Sequence, residues 1–156
     1  MMIWTTRFSR KKAVFAVLLL GVVLAAIILL AGGGTSGRPD TDTPLLTNED
    51  RVAYLQSLGW EVDPEPVETL LFLLPETLEE PYLSYNDLQK EQGFDLTACA
   101  GKQVSRYTYT VRNYPGRPDG VQANLYVCEN LPAAGDICSP GADGFQAGLA
   151  FPEANA

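Results

Sequence analysis

Two acids have neighbours that single them out: Asp136, flanked by Gly135 and Ile137, and Asp143, just before Gly144. Paired carboxylates can run acid–base chemistry when their surroundings drive their proton affinities apart. No histidine is present, which removes the commonest general base, the Ser–His and Cys–His nucleophile pairs and the usual zinc sites. Glu79 and Glu80 lie between prolines in PETLEEP, and Asp40 and Asp42 fall in a stretch rich in Gly, Pro and Thr. For these four a solvated loop is the plainer reading. For Asp136 and Asp143, too, a turn or edge-strand role is favoured over catalysis.

The three cysteines, Cys99, Cys128 and Cys138, are widely spaced and contain no CxxC pair. In an oxidising compartment three thiols leave one bridge and one free sulfur, with three pairings open. Cys99 with Cys128 is the favoured bridge, because it would tie a helix-to-strand junction to a hairpin; no bridge is the next option. Without histidine to lower a thiol pKa, a catalytic cysteine is disfavoured. Arg106, Arg112 and Arg117 line one hairpin and could receive an anion such as a wall-polymer phosphate, against the plainer reading of a solvated sheet face. Tyr107, Tyr109, Tyr114 and Tyr126 could form an aromatic platform, but their strand spacing favours core packing.

These residues need elements to hold them. Thr47 with Asp50 is an acidic capping box, and Val52, Leu55 and Leu58 recur at helical spacing before Gly59. Ser84 with Asp87 repeats the signal and predicts a second helix, SYNDLQKEQG, ending at Gly93. Between them VETLLFLLP, bounded by Pro66 and Pro75, reads as a buried strand. In KQVSRYTYTVRN the period becomes two: Tyr107, Tyr109 and Val111 share one face, and Arg106, Thr108, Thr110 and Arg112 the other. YPGRPDG should reverse the chain into VQANLYVCE. A register of Tyr107 with Val127, Tyr109 with Leu125 and Val111 with Ala123 places all six on the core side. The other face, with Cys128, Tyr126, Asn124 and Gln122, would then meet solvent. A third strand, AGDICS, extends the meander. The expectation is an α+β domain, two helices packed on an antiparallel sheet of about four strands.

Before that domain the chain changes character. Nineteen uninterrupted apolar residues, from Ala13 to Ala31, would span roughly 28 Å as a helix, close to the bilayer hydrocarbon thickness. Arg7, Arg10, Lys11 and Lys12 precede them; the other seven Lys and Arg, with all 19 Asp and Glu, follow. By the positive-inside tendency, residues 1–12 are cytoplasmic, 13–31 span the membrane, and the rest lies outside. The alternative is a cleaved secretory signal with Ala31 and Gly33 before the cut, but this apolar core exceeds the usual h-region. Residues 32–44 read as a disordered tether, 45–152 as the extracytoplasmic domain and 153–156 as a tail. The strongly acidic outer portion is unsuited to nucleic acid, and nothing predicts a metal or cofactor.

The runs SYNDLQKEQGFDL, GKQVSRYTYTVRNYPG and GDICSPGADGF resemble the bacterial domain of unknown function 4830 family. The resemblance covers about Thr47 to Phe151 and implies a small single-pass or exported protein of Gram-positive bacteria, with no assigned activity to transfer. The Cys99 and Cys128 pair is not typical of that pattern. The reading that results is a non-catalytic binding or interaction module of the cell envelope, facing a protein or wall-polymer partner. The alternatives are a carboxylate-dependent envelope hydrolase or transferase and a structural subunit of an envelope complex.

Overall fold

The computed structural model describes residues 38–153. In chain order they form α1 (Asn48–Ser57), β1 (Glu68–Leu73), α2 (Tyr82–Gln92), a 3-10 turn (Leu96–Cys99), β2 (Gln103–Val111), β3 (Val121–Cys128), β4 (Leu131–Ser139) and β5 (Phe145–Ala147). The strands make one antiparallel sheet in the order β1-β2-β3-β4-β5. Two helices on an antiparallel sheet is the expected class, with five strands instead of about four. The extra strand, β5, has three residues, too few for an alternation to be seen in sequence. The apolar run 13–31 lies outside the described residues, and no helix among the described residues is long and apolar enough to cross a membrane.

α1 begins as its sequence dictates. The Asp50 N–H donates to the Thr47 hydroxyl oxygen at 3.1 Å, and the Thr47 N–H donates back to the Asp50 carboxylate at 2.9 Å. This closed capping box satisfies donors that a helix start otherwise leaves unpaired. α2 starts earlier than predicted, at Tyr82. Ser84 is inside the helix, and its N–H and hydroxyl both donate to the Glu80 carboxylate. The terminus at Gly93 is as expected: its φ of 97° is the left-handed conformation that glycine adopts without a Cβ penalty.

The β2–β3 register pairs Tyr107 with Leu125, Tyr109 with Ala123 and Val111 with Val121. This differs from the predicted pairing by a two-residue slip, which preserves the face of every side chain and so escapes the in–out alternation. The core face is therefore the expected one. Tyr109, Val111, Val121, Ala123 and Leu125 pack there with Tyr54 and Leu55 of α1 and with Trp60, whose indole N–H donates to the Leu149 carbonyl at 2.7 Å. The opposite face is not a free solvent face. α2 and the 3-10 turn cover part of it, forming a second apolar cluster of Leu74, Leu96, Val104 and Ala134, and Thr108 is buried.

The two edges of the sheet are treated differently. Gly135 of β4 faces outward beyond the reach of β5. Its N–H donates to the Gln89 side-chain oxygen at 2.8 Å, and its carbonyl accepts from the Gln92 amide at 3.0 Å. Gln92 in turn accepts the Leu149 N–H. Two glutamine side chains thus stand in for a neighbouring strand, satisfying backbone groups that are costly to bury unpaired. Among the described residues, β1 has no such cover. The predicted strand exists, but it is exposed where burial was expected, with Leu71 at 59% and Leu73 at 69%. The reason is position: β1 is the outermost strand, paired only with β2. Of residues 32–44, 38–44 are described and are held to the domain: Arg38 donates to the Gln92 carbonyl, and the Tyr54 hydroxyl to the Asp40 carbonyl.

Candidate functional site

The register of the second face assembles two rows of side chains across the sheet. Leu70, Arg106, Tyr126 and Ala134 are successive partners from β1 to β4, and so are Glu68, Thr108, Asn124 and Asp136. Leu70, Arg106 and Tyr126 of the first row floor a groove of about 640 Å³, within the range of small-molecule sites. Its walls are Phe72 of β1, Leu74 and Leu96, and Tyr82, Tyr85 and Leu88 of α2. Among the described residues, Arg106 is the one charged residue lining it. Glu68 accepts a hydrogen bond from Nη2 of Arg106 at 2.5 Å, whereas Nε is covered and has no acceptor. The arginine charge is therefore matched before any ligand arrives.

Beside the groove lies a polar network. The Thr108 hydroxyl donates to Asn124 Oδ1 at 2.7 Å, Asn124 Nδ2 donates to Asp136 Oδ1 at 3.0 Å, and the Tyr85 hydroxyl donates to Asp136 Oδ2 at 2.5 Å. Asn124 also reaches the Cys138 sulfur at 3.4 Å. Asp136, 1% exposed, thus ties β3 to α2 and is not the solvent-edge residue its glycine neighbour suggested. Such a network specifies one arrangement because a buried polar group left unpaired is expensive. Burial, followed by the Asp136 carboxylate, pushes the Tyr85 hydroxyl well above its ordinary range; Tyr126 and Cys138 are raised by the same two causes in the same order.

The other expected residues do not converge. Asp143 is exposed in the β4–β5 connection, and its backbone oxygen accepts from Arg117 at 3.2 Å. It contributes nothing to Asp136, so the carboxylate pair singled out in the sequence is not assembled. The arginines disperse as well. Arg112 forms a two-pronged ion pair with Asp63, at 2.6 and 2.8 Å, and Arg117 lies over the Phe145 ring. Only Arg106 reaches the groove. Cys99 and Cys128 are neighbours, as their favoured pairing required, yet both are free and buried, and Cys138 is also a free thiol. Burial, then the adjacent Cys128 sulfur, push the Cys99 thiol up to about 12. Of the four tyrosines, Tyr109 is core, and Tyr126 is the one lining the groove.

Tyr85 and Leu88 support the helix in sequence, but a start at Ser84 leaves Tyr82 outside it and the groove wall incomplete; the helix begins at Tyr82. Tyr82, Tyr85 and Leu88 recur every third residue, a signal for one apolar face that the sequence does carry.

Residues 54–134 match a family model described as Domain of unknown function (DUF4830), just over half of the chain. The chain belongs to the DUF4830 family. The match is narrower than the predicted resemblance, running from α1 into β4, and it includes every groove residue named above. No curated protein and no solved structure matches the chain.

Alkaline stability follows from the raised groups of this DUF4830 domain. Tyr85, Tyr126, Cys99 and Cys138 all keep their protons more tightly when folded than their ordinary values of 10.0 and 9.0. A pKa raised by folding contributes stability that is complete below the unfolded value and is lost as pH climbs toward the folded one. Thermal melting of the full chain should therefore stay level between about pH 7 and 8.5 and fall progressively above about pH 9. A flat profile to about pH 11 would contradict the burial of these groups.

Proposed function

We propose that the chain is a membrane-tethered extracytoplasmic module that binds without catalysis, and that its ligand is an acyl chain carrying a neutral ester or amide head. The groove carries this reading. Its walls are aromatic and aliphatic, suited to a flexible apolar chain, and Arg106 is already paired with Glu68. A second carboxylate near Arg106 would meet Glu68, whereas a neutral carbonyl oxygen can accept from the guanidinium without that repulsion. The basic cluster before the apolar run supports tethering, which would hold the groove near acyl lipids of the envelope. The separation of Asp136 from Asp143 favours binding over carboxylate hydrolysis.

The test uses the full chain in membranes with a photoactivatable monoacylglycerol, its free fatty acid as comparison, and peptide mapping by mass spectrometry. Label from the ester is expected on the segments holding Leu70–Leu74 and Tyr82–Leu88. It should drop about tenfold in Arg106→Leu, equivalent to about 1.4 kcal/mol, and stay unchanged in Arg112→Leu. Label spread evenly over the domain, or equal label in both variants, would refute the groove as the site.

A further inference from the structure

We infer that the free edge of β1 pairs with the same edge of a second copy of this chain, joining two five-stranded sheets into one. The edge shares β1 with the groove, but the pairing runs through backbone groups and does not depend on what the groove binds. Leu74 donates its N–H to the Lys102 carbonyl at 2.9 Å. By the alternation of an antiparallel ladder, the even-numbered residues of β1 therefore face β2, and Thr69, Leu71 and Leu73 turn their N–H and C=O groups outward.

Edge strands that remain solvent-exposed are normally blunted by charge, proline, a bulge or a covering element. The opposite edge shows that treatment, with β5 and the Gln89 and Gln92 side chains over β4. Thr69 to Leu74 reads TLLFLL, with no charge and no proline. The end charge, Glu68, is already bound to Arg106.

The pattern also suits its own copy. Antiparallel pairing about a two-fold axis at Leu71 sets Thr69 opposite Leu73, Leu71 opposite Leu71 and Leu70 opposite Phe72. Each outward residue then meets another outward residue, so the ladder closes without orphaned groups. No like charges stand face to face, the condition under which cross-strand pairs are favourable. One strand per subunit is far less than the roughly 20–30 residues a side of a standard stable interface. The association is accordingly of the weak, reversible class.

Oxidative cross-linking of the full chain tests the register. In an H-bonded antiparallel pair the Cα atoms lie about 5.5 Å apart, within disulfide reach. Leu71→Cys should form covalent dimers at least tenfold faster than Ala53→Cys on the exposed side of α1 or the unsubstituted chain. Leu71→Lys, which opposes two charges at the axis on a residue already exposed, should abolish the dimer seen by native mass spectrometry while leaving the melting curve unchanged. Equal cross-linking at positions 71 and 53 would overturn the proposal. So would a dimer indifferent to Leu71→Lys, or a chain that stays monomeric at high concentration, whose edge would then serve a foreign strand.

Discussion

Truncating Tyr109 to alanine is expected to destabilise the full chain by about 3–5 kcal/mol, the range for large aromatic side chains removed from a packed core. Tyr109 is 0% exposed, so the vacated space is not open to solvent. Its hydroxyl also donates to Asn48 Oδ1 at 2.9 Å and accepts from Arg51 Nε at 3.1 Å, joining β2 to α1. Tyr109→Phe isolates that polar part and should cost only about 1 kcal/mol. Thr110→Ala, on the other face and half-buried, should stay within about 0.5 kcal/mol. Denaturant midpoints at constant slope would report the differences. Equal shifts for Tyr109→Ala and Thr110→Ala would mean that the sheet faces are assigned the wrong way round.

The second large effect is expected at Gln92, a residue with no chemical role. Gln92→Leu keeps the volume but leaves the Gly135 carbonyl and the Leu149 N–H without partners. Each orphaned group costs about 1–3 kcal/mol, so the loss should be roughly 2–6 kcal/mol. Gln103→Leu, exposed at the start of β2, is the matched control and should change little. Hydrogen exchange gives an independent reading: the Leu149 amide should lose its protection in Gln92→Leu while amides in the middle of β3 keep theirs. Retained protection at Leu149 would show that the glutamine does not hold this edge.

What could be foreseen in the sequence follows from the range of the interaction concerned. The capping box at Thr47 and Asp50, the left-handed stop at Gly93 and the alternation in β2 are local, so neighbouring residues announce them. The slip between β2 and β3 was hidden because a two-residue displacement leaves every side chain on its own face. The exposure of Leu71 and Leu73 depends on β1 being outermost, a fact of topology that an apolar run does not encode. Gln89 and Gln92 looked like ordinary polar helix residues, since their partner, Gly135, is more than forty residues away. Asp136 drew notice from its glycine neighbour and proved to be buried, for the different reason that Tyr85 and Asn124 supply its donors. Arg106, Arg112 and Arg117 share a hairpin in sequence, but only the first faces the groove, because the other two lie beyond the end of β2, in its connection to β3.

The segment around Leu149 sets the timing of biogenesis. Trp60 needs the Leu149 carbonyl, its ring packs against Phe151, and Gln92 needs the Leu149 N–H. The first core layer therefore cannot seal while residues 149–151 are still inside the ribosomal tunnel, however early α1 and β1 emerge. Until then the Trp60 indole N–H and the Gln92 side chain lack these native partners, so α1, β1 and the sheet can form before the layer around Trp60 is complete.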